Sequence, residues 1–139
     1  MDNVRKQIQK LSISHDGSHK KVLLSVLGTA SLLKDGEELV DKLERNLDVY
    51  EGNKDKILLV FCVQKGIEEK LKFIRQDLIK PYHEIVQMYM NSDNCVVVNF
   101  DDLDDIYDIC DAYYGDWSIA AWTMNKLEKP VMILDASVE

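Results

Sequence analysis

Asp111-Ala112-Tyr113-Tyr114-Gly115-Asp116-Trp117-Ser118, then an apolar helical stretch, then Lys129-Pro130-Val131-Met132-Ile133, is the stretch that decides the fold. It reads as a short buried strand over Asp111–Tyr114, a tight glycine turn, a capped helix from Asp116 to Leu127, and a second buried strand over Val131–Leu134. Strand, helix, strand in that order brings a helix N-terminus to the carboxyl end of a parallel strand. Open α/β sheets bind phosphate-bearing ligands at such places.

The same alternation runs back to the start of the chain. Met1 to Leu11 reads as an amphipathic helix with Val4, Ile8 and Leu11 on one face, followed by a polar linker to about residue 20. Val22–Leu27 is a continuous apolar run, the pattern of a strand covered on both faces. Gly28-Thr29-Ala30-Ser31 reads as a turn. A helix is predicted from Gly36 to Glu51, with Leu39, Val40, Leu43 and Leu47 at helical spacing. Ile57–Val63 is a second buried strand. Gly66 opens a helical region that Pro81 is expected to break near Lys80, with a second helix to about Met90. Cys95–Val98 is a third strand, and Asp101 or Asp102 is expected to cap a short helix before the decisive stretch. Five short apolar strands alternating with amphipathic helices predict an α/β fold, a Rossmann-like three-layer domain with a parallel sheet of about five strands and the first strand central. One domain is expected over 1–139, residues 21–135 being its core.

Composition narrows the function classes. The chain has 139 residues and a net charge of −8. Residues 1–80 carry 15 basic and 13 acidic groups, whereas residues 81–139 carry 2 and 12. So acidic a chain is a poor nucleic-acid partner, since phosphate contacts need clustered Lys and Arg. No apolar run is long enough for a membrane span. The N-terminus lacks the apolar core of a signal peptide. Cys62, Cys95 and Cys110 lie in or beside apolar segments without metal-ligand spacing, which reads as reduced core thiols in a cytoplasmic protein. No cofactor, metal set or catalytic group is apparent in the pattern. Trp122, Tyr113 and Tyr114 read as core or interface residues, and Met88, Met90 and Met124 as core fillers.

The segment 111–133 resembles the C-terminal, nucleotide-binding half of bacterial GT-B glycosyltransferase-like proteins related to CDP-glycerol glycerophosphotransferases. The shared pattern is an aspartate, an aromatic pair, Gly-Asp, serine, an apolar helix, Lys-Pro and a buried strand. KVLLSVLGTASLLKDGEELVDKL (21–43), KILLVF (56–61) and YHEIVQMYMNSDNCVVVNFDDLDD (82–105) extend the likeness. Two departures stand out. The family's second strand ends in an arginine-proline-histidine-proline motif at the donor phosphates, but this chain has Val60-Phe61-Cys62-Val63-Gln64-Lys65 there. The family's serine pair is halved to Ser118-Ile119.

The resemblance implies a nucleotide-sugar or CDP-polyol ligand, of the kind used in cell-surface polysaccharide synthesis, held by a domain not active alone. The residues expected to hold it are Gly28, Thr29 and Ser31 in one turn and Gly115, Asp116 and Ser118 in the other, facing one crevice. Asp116 has two readings, a helix N-cap or a ligand contact. Gly115 is expected in an unusual turn conformation. The alternative to ligand binding is a non-catalytic interaction protein that keeps the fold and pairs with itself or with a partner transferase chain. A receiver-like phosphoacceptor is a weaker third reading, because Lys129-Pro130 precedes the last strand and so falls at the opposite edge of the sheet from the acidic run Asp101–Asp108. His15, His19 and His83 read as ordinary polar residues.

Overall fold

The structure is a computed structural model, and it describes residues 2–14 and 16–134. His15 lies outside the described residues. The chain runs α1 (Asp2–Leu11), β1 (Lys21–Leu27), α2 (Thr29–Asp35), α3 (Glu37–Gly52), β2 (Ile57–Val63), α4 (Ile67–Ile74), α5 (Ile79–Asn91), β3 (Cys95–Val98), β4 (Ala112–Gly115), α6 (Ile119–Lys126) and β5 (Val131–Ile133). Short 3₁₀ turns fill Gln76–Leu78, Phe100–Asp105 and Tyr107–Ile109. All five strands are parallel, in the order β3-β2-β1-β4-β5. The fold is the expected Rossmann-like α/β sheet with its first strand central.

Alternation along β1 explains the three layers. Val22, Leu24 and Val26 point to one face, where they join Ile8 of α1, Leu103, Tyr107, and Ala120, Ala121 and Met124 of α6. Leu23 and Leu27 point to the other, against Leu32, Leu39 and Leu43 of α2 and α3, and Leu71, Ile85 and Tyr89 of α4 and α5. A strand buried on both sides has no polar face to show, which is why β1 and β2 read as unbroken apolar runs.

Five local expectations need correction. First, Gly28–Ser31 is not a free turn, because α2 begins at Thr29. Leu32 at its centre is fully buried, and that burial outweighs the turn propensity of Gly, Thr and Ser. Gly36 then parts α2 from α3 with φ 56, donating its N–H to Leu32 O at 2.8 Å. Second, the helical break falls at Arg75–Leu78, ahead of Lys80. Pro81 sits inside the first turn of α5, where its missing N–H has no helical partner to lose. Third, the acidic run forms 3₁₀ turns. Asn99 is the N-cap, and Asp102 closes a capping box by accepting from Asn99 N–H at 3.1 Å. Fourth, Met88 and Met90 are exposed (38% and 57%), whereas Met124 is fully buried; of the two readings for Trp122, core or interface, its 51% exposure excludes the core. Fifth, the last strand is not buried: β5 is the edge of the sheet, with Met132 and Ile133 exposed.

No described helix is long and apolar enough to cross a membrane. Cys62 and Cys110 are buried and Cys95 half-buried, all unpaired. Burial pushes each thiol up to about 12, so none is a ready nucleophile.

Candidate functional site: the crevice between β1 and β4

After β1 the chain turns to one face of the sheet to form α2, and after β4 it turns to the other face to form α6. Neighbouring strands whose connections leave in opposite directions open a crevice at their carboxyl ends. The crevice measures about 290 Å³ and is lined by Gly28, Ala30, Ser31, Gln64, Asp116 and Ser118, with Val26, Phe100, Trp117 and Ile119 as its apolar surface. A second cavity of about 400 Å³ adjoins it, sharing Gln64 and Phe100. Each alone is at or near the small end of the range for ligand pockets.

Of the six residues singled out by sequence, Gly28, Ser31, Asp116 and Ser118 line this crevice. Thr29 and Gly115 stand behind it. The Thr29 N–H donates to Gln64 Oε1 at 2.9 Å. Gly115 is the last residue of β4, and its carbonyl accepts from Leu134 N–H at 2.7 Å. Its φ is not among the positive values, so the expected turn conformation is not the reason for glycine. The reason is close approach: a Cβ there would lie 2.7 Å from Val26 N and 2.9 Å from Tyr113 Oη.

Asp116 is not the N-cap of α6. That place belongs to Ser118, whose hydroxyl makes no capping bond and lies 3.3 Å from Tyr113 Oη. Asp116 is buried, and its carboxylate Oδ2 accepts the N–H of Gly28 at the start of α2. Ser31 also bonds the carboxylate through its side chain. The Asp116 N–H donates to Val26 O at 3.1 Å, and the Tyr113 hydroxyl donates to the Asp116 carbonyl. Asp116 therefore clamps the two turns together, and its carboxylate holds an amide and a hydroxyl that an anionic ligand would seek. Burial raises the carboxyl above the usual carboxylate range, while the Gly28 and Ser31 bonds pull it partly back.

No Lys or Arg lines the crevice. Lys65, two residues after β2, pairs with Asp101 at 2.6 Å and lines the neighbouring cavity instead. Lys129 lies at the amino ends of the strands, donating to the carbonyls of Tyr107 and Asp108 at 2.8 Å each and to that of Cys110. Lys129 therefore meets the end of the acidic run at Asp108, contrary to the expectation that the two lie at opposite edges of the sheet, but it does so through backbone carbonyls, while Lys65 is the lysine that pairs with a carboxylate of the run. His83 meets Glu68 at 2.8 Å, outside the crevice lining. Among the described residues no three His, Cys, Asp or Glu side chains come together as a metal set. Gln64 is the site residue that sequence reasoning missed, because a single glutamine after a strand carries no pattern.

The crevice thus offers hydroxyls, backbone amides, an amide side chain and aromatic surface. Among the described residues its lining holds no lysine, arginine, histidine or cysteine. Comparison of the chain with family models, with curated proteins and with solved structures found no match.

Proposed function

We propose that the chain is a binding domain whose crevice takes a nucleotide-linked sugar or polyol and does not itself catalyse transfer. One observation carries the reading: Gly28–Ser31 and Asp116–Ser118, far apart in sequence, meet in a single crevice at the topological switch point. The ligand class follows from the resemblance, read in the sequence over roughly residues 20–135, to CDP-glycerol glycerophosphotransferase-like proteins. The absence of Lys and Arg from the lining supports binding without transfer. A departing phosphate needs its growing charge neutralised, and here only amides and hydroxyls are at hand. The buried Asp116 carboxylate favours hydroxyl groups beside it over phosphate oxygens.

A second reading, an interaction protein that has kept the fold, is supported by the same carboxylate filling the α2 amide position and by the exposed apolar residues Trp117, Ile119 and Trp122. Thermal melting against CDP, UDP, GDP and ADP and their sugar and polyol conjugates, with and without Mg²⁺, separates the two. At a hundredfold excess over its dissociation constant a ligand adds about 2.7 kcal/mol, about 9 °C for a chain of this length. Ala30 is exposed and lines the crevice, so Ala30→Trp fills the space without touching the core. Binding predicts a shift with one conjugate that Ala30→Trp removes. A flat panel leaves the interaction reading.

A further inference from the structure

The two edges of the sheet are finished differently. At the β3 edge the strand is half-buried or buried throughout, and the N–H of Cys95 is turned to Ser92 O at 3.3 Å. At the β5 edge Met132 is 66% and Ile133 42% exposed, and the strand carries no charged side chain. Natural edge strands are usually blunted by lysine, proline, a bulge or shortness, because their outward N–H and C=O groups pair readily with another strand; β5 is short, at three residues after Lys129-Pro130, but within Val131–Ile133 itself there is no lysine, proline or bulge.

The register states which groups are outward. The Pro130 carbonyl accepts from Tyr113 N–H at 2.9 Å, and the Leu134 N–H donates to Gly115 O at 2.7 Å. In a parallel ladder, bonding to one neighbour alternates along the strand, so Pro130, Met132 and Leu134 face β4, and Val131 and Ile133 present N–H and C=O outward. Among the described residues no backbone group takes them. This pattern is symmetric about Met132. In an antiparallel pair, two residues opposite one another exchange both of their bonds. A two-fold axis through Met132 sets Val131 against Ile133 of a second copy, and Ile133 against its Val131, making four backbone hydrogen bonds with Met132 beside its own counterpart.

We propose that the β5 edge is a self-pairing surface that joins two copies of this chain into one continuous sheet of ten strands. The occupant is a second copy because the edge is complementary to itself and holds no charge to repel its image, although the chain as a whole carries −8. The same axis, perpendicular to the sheet, keeps like faces together and brings α6 alongside its copy. The exposed Ile119 and Trp122 of α6, at 61% and 51%, supply apolar surface on that face.

The test is the mass of the purified full chain by sedimentation at concentrations up to about 100 µM. The proposal expects a doubled mass in the wild type and a single-copy mass in both Met132→Lys and Val131→Pro. Met132→Lys puts a charge on an exposed position, and Val131→Pro removes one outward N–H that β4 does not use. Phe73→Glu, at a residue 91% exposed on α4 on the opposite flank of the sheet, is the control and should stay dimeric. A single-copy wild type at every concentration overturns the proposal. So does a dimer that survives both edge substitutions, or one that Phe73→Glu dissolves. Because these readings involve no nucleotide, they stand or fall apart from the ligand panel.

Discussion

Gly115→Ala is the sharpest probe of how the crevice is held. The added Cβ would sit 2.7 Å from Val26 N, 2.9 Å from Tyr113 Oη and 3.0 Å from Val26 O. Two of those atoms are backbone of the central strand, which is bonded on both sides and cannot yield cheaply. The third belongs to a hydroxyl that donates to the Asp116 carbonyl, so moving it loosens the β4–α6 turn. Overpacking of this kind costs about 1–3 kcal/mol, and a clash with ladder backbone belongs at the top of that range. At about 2.1 cal/mol/K per residue, 3 kcal/mol lowers Tm by about 10 °C in a chain of 139 residues. The matched control is Gly52→Ala at the end of α3, where a Cβ would meet nothing within 4 Å and helix propensity favours alanine by roughly 0.5–1 kcal/mol. Thermal and urea unfolding followed by circular dichroism measures both. A Gly115→Ala variant within about 0.5 kcal/mol of wild type would refute the close-approach argument.

Other outcomes follow from the same contacts. Asp116 has a raised carboxyl, so its contribution to stability is present below the unfolded value of 3.8 and is lost as pH rises through the higher folded value. Asp116→Asn, which cannot titrate, should therefore gain on the wild type as pH climbs through that window and then hold a constant difference, as read from urea midpoints between acid and neutral pH. Lys129→Gln removes a cation that donates to three carbonyls, and should cost about 2 kcal/mol by chemical unfolding. Arg5 forks onto both oxygens of Asp108 at 2.7 Å and holds that carboxyl below its usual value. Arg5→Ala should speed amide exchange in α1 while leaving β1 protected, and the difference should fade as pH falls and Asp108 takes up its proton.

The central strands and their order were legible because burial on both faces writes itself into sequence as unbroken apolar runs, and because right-handed crossovers leave few ways to join them. The meeting of the two turns was legible for the same topological reason. What stayed hidden was tertiary. Asp116 two residues before Ser118 has the local look of a cap, yet its partner is Gly28, 88 residues away, and no local pattern records that bond. Gly115 looked like a turn glycine, but its constraint comes from the backbone of β1 pressed against it. α2 was hidden because Gly28, Thr29 and Ser31 favour turns, while the deciding contact is Leu32 in the core. Gln64 gave no sign at all, since its amide matters only once β2 ends beside α2.

We propose that a ligand sits in the β1–β4 crevice. Amide chemical-shift mapping during titration with the nucleotide conjugate that most raises Tm tests it most directly. Gly28–Ser31, Gln64 and Asp116–Ile119 are expected to shift together and saturate along one curve, and Ala30→Trp to abolish the response. Shifts confined to the far ends of the strands, around Lys10, Lys54 and Asn94, or no saturable shift with any conjugate, would contradict it.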